Sequence, residues 1–233
     1  MAIEFGLLTL GAYLLGSVPA AYIAAKWSRG IDIRKYSDGN VGASNLLRLT
    51  SKRIAVPVMI FDLGKGAVMV WVAQLVGLDT IPQVSVGLAA IIGHNWPVFL
   101  RFNGGRGILT ALGVISILVP WLGLIVLVIA YGLAPFRQLA LGVFLATVFA
   151  PIGAWFLSQP LGVNDRLPLT LGFLAIFLVT IIRRLTAPRT SFTASVPLGQ
   201  LFINRLFFDR DIRDRETWIK QQPLEQQEKT RKG

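Results

Sequence analysis

Residues 108–134 read ILTALGVISILVPWLGLIVLVIAYGLA, without one charged side chain. A helix needs about 20 apolar residues to cross a bilayer, so this run is long for one span and short for two. Pro120 stands in its middle, with Gly123 close behind, and a proline removes an amide and kinks or breaks a helix. The run forms either one long kinked helix, or a short helix, a turn near Val119–Trp121 and a second helix that returns. Short half-spans are tolerated where they line a protein-enclosed cavity. The choice decides between six and seven crossings, and so decides on which side every loop lies.

Outward from this run, further apolar stretches lie at roughly 5–25, 54–76, 83–100, 138–157 and 168–185. Glu4 precedes the first, which has no basic leader and no small-residue cleavage site, so it reads as a retained span rather than a signal peptide. The segment Lys26–Arg53 carries Lys26, Arg29, Arg34, Lys35, Arg48, Lys52 and Arg53. Arg101 and Arg106 follow, then Arg137, then Arg183, Arg184 and Arg189. The connections near 77–82 and 158–167 hold only Arg166 as a basic residue. Basic loops stay cytoplasmic, and all four basic segments share a side only if 108–134 goes out and comes back. The expectation is an all-α integral membrane protein of about seven transmembrane helices, N-terminus outside and C-terminus cytoplasmic. Residues 1–189 form the membrane domain and 190–233 a basic, amphipathic cytoplasmic tail, partly disordered. In that tail Leu201, Ile203, Leu206, Phe207 and Phe208 precede the mixed-charge run Asp209–Glu216, which suits an interfacial helix as well as a loose tail.

Of the 233 residues, 54% are hydrophobic and only 15% charged, which excludes a water-soluble globular fold. The absence of cysteine excludes disulfides, thiolate metal sites and a cysteine nucleophile. A single histidine argues against a multi-histidine metal centre. The net charge of +11 is accounted for by the basic loops, not by nucleic-acid binding.

Polar features interrupt this apolar pattern. Ser37-Asp38-Gly39-Asn40-Val41-Gly42-Ala43-Ser44-Asn45, followed by Arg48, places polar residues around two glycines. Such a loop can form an anion nest of backbone N–H groups, to which Arg48 adds a bidentate charge; an ordinary connection rich in turn residues looks much the same. Gly104-Gly105-Arg106-Gly107 opens a predicted helix whose next polar residue is Thr110. Glycines let the main chain approach a ligand, and a helix N-terminus offers unpaired amides and partial positive charge. A Walker A pattern is absent, and a Gly-Gly turn before a helix is common. Finally, Asp62 and Lys65 lie inside one span, with His94 and Asn95 near the end of another. Intramembrane ionisable residues are functional candidates, but Asp62 and Lys65 are spaced to neutralise each other. His94 is either a general base or a hydrogen-bonded clamp at a helix end.

These features line up with a known family. Gly16-Ser17-Val18-Pro19, Gly30-Ile31-Asp32-Ile33-Arg34 and Gly39–Asn45 with Arg48 resemble the first motif region of the bacterial acyl-phosphate:glycerol-3-phosphate acyltransferases. Phe61-Asp62-Leu63-Gly64-Lys65-Gly66 is similar to that family's Asp-x-x-Lys-Gly. Gly93-His94-Asn95-Trp96-Pro97-Val98-Phe99, Phe102–Gly107 and Thr110-Ala111-Leu112-Gly113 resemble its second motif. The resemblance covers roughly residues 10–115 in order and spacing, and its span pattern continues to about 187.

The resemblance implies a seven-span enzyme of the bacterial plasma (inner) membrane with its motifs on the cytoplasmic side. It implies transfer of a fatty acyl group from acyl phosphate to the 1-hydroxyl of glycerol 3-phosphate, giving lysophosphatidate and phosphate, the first step of phospholipid synthesis. The implied partners are acyl phosphate, glycerol 3-phosphate and the bilayer, with no metal, cofactor or nucleic acid, and a monomer as the working unit. An acyl phosphate is already activated, so the enzyme needs positioning and anion neutralisation more than a nucleophile. By the resemblance, Gly104, Gly105, Arg106, Gly107 and Thr110 hold phosphate. Arg48, Asn45, Ser44 and His94 are the catalytic candidates, and Asp38, Gly39, Asn40 and Gly42 form the first-motif loop. Asp62, Lys65, Asn95, Arg183 and Arg184 support the site.

This chain departs from the family pattern in places. Asp38 stands where Ser is usual, and Arg106 where Lys is usual. The third motif, Arg-His-x-x-Asn-Ile-x-Arg-Leu with a following Gly-x-Glu, is expected at the end of the last span. There the chain reads Ile181–Arg189, without the His and Asn, and Arg183, Arg184 and Arg189 keep positive charge. Two alternatives follow: a catalytically weakened paralogue that binds acyl phosphate or lipid precursors, or an enzyme with another acceptor. A small transporter, suggested by Pro120, is a further alternative.

Overall fold

The computed structural model describes residues 2–36, 39–157, 159–160, 162, 165–188 and 196–214. Asp38 and Arg189 of the sequence reading, and the tail segments 190–195 and 215–233, lie outside the described residues. The described chain is all-helical: α1 (Ala2–Ser17), α2 (Ala20–Arg29), α3 (Ala43–Leu49), α4 (Lys52–Leu75), α5 (Thr80–Asn95), α6 (Ile108–Leu118), α7 (Pro120–Gly132), α8 (Leu139–Leu157), α9 (Arg166–Leu185) and α10 (Leu198–Phe208). Four helical stretches are long and apolar enough to cross a membrane: Ala2–Arg29, Lys52–Leu75, Leu139–Leu157 and Arg166–Leu185. The first is interrupted at Val18-Pro19. Large apolar side chains stay exposed on outer faces, such as Leu7, Leu10 and Leu14 on α1 and Leu167, Leu171, Leu174 and Leu178 on α9. They recur at the three- and four-residue spacing of one helix face, as lipid-facing positions do.

The uncharged run 108–134 divides into α6 and α7 at Val119, whose backbone leaves the helical region (φ −141°, ψ 86°). Pro120 begins α7, where its missing amide is harmless. The two short apolar helices pack against each other. By contrast, Pro57 and Pro151 lie inside α4 and α8, which remain continuous. The apolar run 83–100 is helical only to Asn95; Pro97 and a short 3-10 turn at Val98–Leu100 then bring the chain to the glycine loop.

Within a membrane, helices associate through close packing of small residues, because lipid and apolar side chains are alike as solvents. The α1–α5 contact follows this rule. A Cβ on Gly16 would collide with the carbonyl of Ala90, and one on Gly93 with the carbonyl of Tyr13. Tyr13 also donates its hydroxyl to the carbonyl of Trp96 (3.1 Å). Elsewhere α4 packs on α6, and α8 joins α7 to α9.

The described part of the tail forms a helix, α10, that keeps Leu198, Phe202 and Ile203 exposed. α10 packs against α8 and α9, and the Phe207 ring meets Phe144 edge-on at 5.5 Å. Leu201, Asn204 and Arg205 are buried there.

Gly93→Leu is expected to destabilise the detergent-solubilised protein by about 1–3 kcal/mol, the usual consequence of overpacking. Gly6→Ala, with nothing within 4 Å of the added methyl group, leaves the melting temperature unchanged or raises it. Thermal melts of the two variants beside the parent check this.

Candidate active site

A buried polar cluster sits where α1, α4 and α5 meet. Lys65 Nζ lies 2.9 Å from Asp62 Oδ1, 2.7 Å from His94 Nδ1 and 3.0 Å from the carbonyl oxygen of Gly16. An ammonium has three donors and no acceptor, and here each donor has a partner. The spacing anticipated the Asp62–Lys65 pair but not His94 as its third member. With Lys65 donating to Nδ1, a neutral His94 ring carries its hydrogen on Nε2. That nitrogen faces Gly105, since a Cβ built there would land on Nε2. Nε2 is thus the ring nitrogen that His94 turns toward the glycine loop.

The glycine loop is tied on both edges. Gly105 donates its amide to the carbonyl of His94 (3.1 Å) and Gly104 to that of Asn95 (3.2 Å), so the last carbonyls of α5 are satisfied by the loop. The amides of Gly104 and Gly105, expected to face a ligand, are thus engaged. Those without an α-helical acceptor belong to the first turn of α6; its first such bond runs from Ala111 to Gly107 (2.8 Å). On the other edge Arg183 donates Nε to the carbonyl of Gly105 (3.0 Å) and Nη2 to that of Gly104 (2.8 Å). Arg183, expected to support the site, clamps the loop. Gly107 adopts a left-handed backbone (φ 69°) as the N-cap of α6, and any Cβ there would meet the Asn95 side chain. Asn95 is fully buried, and its amide has no hydrogen-bond partner among the described residues.

The first-motif loop is wrapped around Asn45, whose Nδ2 lies within hydrogen-bond reach of the carbonyls of Asn40 (3.0 Å), Tyr36 (3.3 Å) and Ile33 (3.4 Å). Asn45 holds the loop in shape and is not aimed outward as a catalytic group. Gly39 is left-handed (φ 68°), and Gly42 is the N-cap of α3, with the Asn40 side chain against it. Before the loop, Arg34 makes a bidentate pair with Asp32, which holds the Asp32 carboxyl below the usual carboxylate range. Val41 brings this loop to the glycine loop, with its carbonyl 2.9 Å from where a Gly105 Cβ would stand. Val41 of the first-motif loop, Gly104 and Gly105 of the glycine loop, Asp62, His94 and the Gly16–Ala20 segment line one cleft. Ser44 and Arg48 are exposed on one face of α3 and do not line that cleft. Thr110, expected to touch phosphate, instead donates its hydroxyl to the carbonyl of Asp62 (2.9 Å) and is buried between α4 and α6.

An apolar cavity begins at Ile108, one residue past the glycine loop, and runs between α6, α7, α8 and α9 past Ala130, Ala146 and Phe173. Among the described residues, no group of three His, Cys, Asp or Glu stands ready to hold a metal ion.

The tail supplies residues that sequence reasoning missed. Asp209 forms ion pairs with Arg106 and, at 3.2 Å, with Arg184. Arg184 also donates to the carbonyls of Leu206 (2.8 Å) and Ala140 (3.3 Å). Arg205 pairs with Asp211 at 2.6 Å, both side chains being buried. The signal was present: Ile203-Asn204-Arg205-Leu206, then Asp209-Arg210-Asp211, carries the Ile-x-Arg-Leu spacing and trailing acid of the third motif. It stands about twenty residues beyond the place where the span pattern put that motif.

The model for the glycerol-3-phosphate acyltransferase family matches residues 6–190. "Glycerol-3-phosphate acyltransferase 5" of Dehalococcoides mccartyi is 44% identical over 219 residues, covering 94% of each chain. A glycerol-3-phosphate acyltransferase of Laribacter hongkongensis is 39% identical over 170 residues, covering 71% of this chain and 84% of that one. Among solved structures, PlsY, an integral membrane glycerol 3-phosphate acyltransferase in its glycerol 3-phosphate form, superposes with a TM-score of 0.69 at 31% identity. That match covers 78% of this chain and 88% of PlsY. With the family model spanning most of the chain and the first of these relatives matching nearly end to end, this chain is a membrane acyltransferase belonging to the glycerol-3-phosphate acyltransferase family.

Proposed function

We propose that this enzyme transfers a fatty acyl group from acyl phosphate to the 1-hydroxyl of glycerol 3-phosphate, giving lysophosphatidate and inorganic phosphate. The observation that carries this is the meeting of the first-motif loop and the glycine loop at one cleft, with the apolar cavity starting one residue away at Ile108. A polar cleft on the glycine loop and an apolar cavity lined by the helix that follows it suit an amphiphile that ends in phosphate.

The acyl chain lies in the apolar cavity and its phosphate at the N-terminus of α6, where first-turn amides, the helix dipole and Arg106 favour negative charge. The Asn95 amide, unpartnered under Gly107, is placed to complete that site. The His94 Nε2 hydrogen faces the same cleft and stabilises charge developing on the acyl oxygen. The acceptor's 1-hydroxyl oxygen attacks the acyl carbon, the bond from carbon to the phosphate oxygen breaks, and the hydroxyl proton passes to the departing phosphate. Arg48 stands with Ser44 on the exposed face of α3 and recruits the acceptor's own phosphate.

For topology we propose seven crossings, built from the Ala2–Arg29 stretch, α4, α5, α6, α7, α8 and α9, in a bacterial plasma membrane. The N-terminus is outside, and the cleft, Arg48 and the tail are cytoplasmic. Basic residues of the 26–53, 101–106, 137 and 183–189 segments then share one side. The working unit in this reading is one chain. The weakened-paralogue alternative rested on a third motif lost from 181–189. Arg205 and Asp211 match that motif's Arg and trailing acid, while Gly199 and Phe202 stand where its His and Asn are usual.

Purified protein given palmitoyl phosphate and labelled glycerol 3-phosphate should form labelled lysophosphatidate; none above background beside a working control enzyme refutes the proposal. Gly105→Ala, whose methyl group collides with His94, is expected to lower kcat/KM for acyl phosphate at least tenfold, and parental kinetics would remove the loop from the donor site. Arg48→Ala should lower transfer roughly 10–100-fold, the range for losing a hydrogen bond to a charged group, with most of the effect in the KM for glycerol 3-phosphate. Because the chain lacks cysteine, Ser28→Cys and Gln159→Cys can be labelled singly. Ser28→Cys should react with an impermeant maleimide only in inside-out vesicles, and Gln159→Cys only in right-side-out ones.

A further inference from the structure

Asp209 lies where the tail reaches the glycine loop. Arg106 and Arg184 share one oxygen of its carboxylate, Oδ1. Their side chains are only 8% and 4% exposed, whereas that of Asp209 is 26% exposed. Asp209 is thus the most exposed side chain of the cluster, although the shared oxygen itself is buried. It is also displaceable, because among the described residues Arg205 and Asn204 hold the tail without it. Arg205 is already neutralised by Asp211, and Asn204 is anchored to the Asp211 carbonyl (2.9 Å). Arg184, for its part, stays fixed to the carbonyls of Leu206 and Ala140 when the carboxylate leaves. The backbone points the same way: Asp209 caps α10 in the left-handed region (φ 55°, ψ 41°), where glycine sits without strain and other residues need a reason.

We propose that Asp209 is an internal anion that competes with the substrate's phosphoryl group for Arg106 and Arg184, and so sets how tightly this site holds phosphate. Guanidinium groups bind carboxylate and phosphate with the same fork of donors, and one carboxylate cannot match both the charge and the three oxygens of a phosphoryl dianion. With no ligand bound, Asp209 keeps two buried cations compensated. When phosphate arrives, the carboxylate swings to solvent. Its presence lowers the affinity for phosphate-bearing ligands and speeds the release of inorganic phosphate after transfer. This rests on the proposed phosphate site at Arg106, but not on acyl transfer itself.

The test is a calorimetric titration of the full-length protein in detergent with inorganic phosphate, at constant ionic strength and pH. Asp209→Asn and Asp209→Gly are expected to tighten phosphate binding about tenfold, while Asp209→Glu stays within twofold of the parent. The KM for acyl phosphate should fall alongside, while the KM for glycerol 3-phosphate, whose phosphate is assigned to Arg48, stays within twofold of the parent. Unchanged or weaker phosphate binding in Asp209→Gly, or none measurable in either neutral variant, overturns the proposal. If Asp209→Asn is not recovered folded, Asp209→Gly decides, because its backbone conformation suits glycine. A parent that transfers no acyl group, together with a tighter phosphate titration in Asp209→Gly, supports the role of Asp209 and refutes the acyltransferase reaction instead.

Discussion

Lys65 carries an ammonium group deep between α1, α4 and α5, and such a group must have a partner for every donor or be driven out of its charged form. Its partners come from three separate places: Asp62 on its own helix, the carbonyl of Gly16 on α1 and the ring of His94 on α5. Satisfying one buried charge therefore fixes the mutual position of three helices. The carbonyl of Gly16 is within reach only because α1 and α5 approach so closely that a methyl group on Gly16 or Gly93 would strike backbone. The apolar contacts of the bundle permit many small slides of helix on helix, since dispersion is only weakly directional. A fully satisfied hydrogen-bonded cluster permits few.

The same cluster sets up the chemistry. Lys65 occupies Nδ1 of His94, which leaves the ring's hydrogen on the side of the glycine loop. The loop is a strip of backbone stretched between the C-terminal carbonyls of α5 and the guanidinium group of Arg183. Held from both edges, it delivers the first turn of α6 and Arg106 to one place without needing a ligand to shape it. That is the preorganisation on which anion stabilisation depends. Asn45 does the equivalent work for the first-motif loop, drawing the carbonyls of Ile33, Tyr36 and Asn40 toward one side-chain amide.

Asn45, Thr110 and Arg183 show the limit of motif reading. Each lies in a stretch that resembles a functional motif or at its edge, and each uses its polar atoms on the protein's own backbone. A motif marks where exposed backbone and polar side chains accumulate; it does not say which of those groups the fold consumes. The tail is the converse case. Its polar residues looked like a solvated surface because α10 is short and the charges after it are mixed in sign, yet Arg205, Asp211 and Asn204 are buried.

The sequence alone determined what depends on local chemistry. Uncharged runs must be membrane helices, because hydrocarbon offers no partner to an exposed amide. Pro120 marked where one run would kink or break, charge placement chose the break, and the i, i+3 spacing of Asp62 and Lys65 foretold their pairing. Only the tertiary structure decided which donors meet which acceptors across tens of residues. It decided that His94 joins Lys65, that Arg183 clamps a loop 78 positions away, and that Asp209 answers Arg106. Those choices are not periodic and leave no local trace, because they follow from whichever buried polar groups the packed helices happen to leave without water.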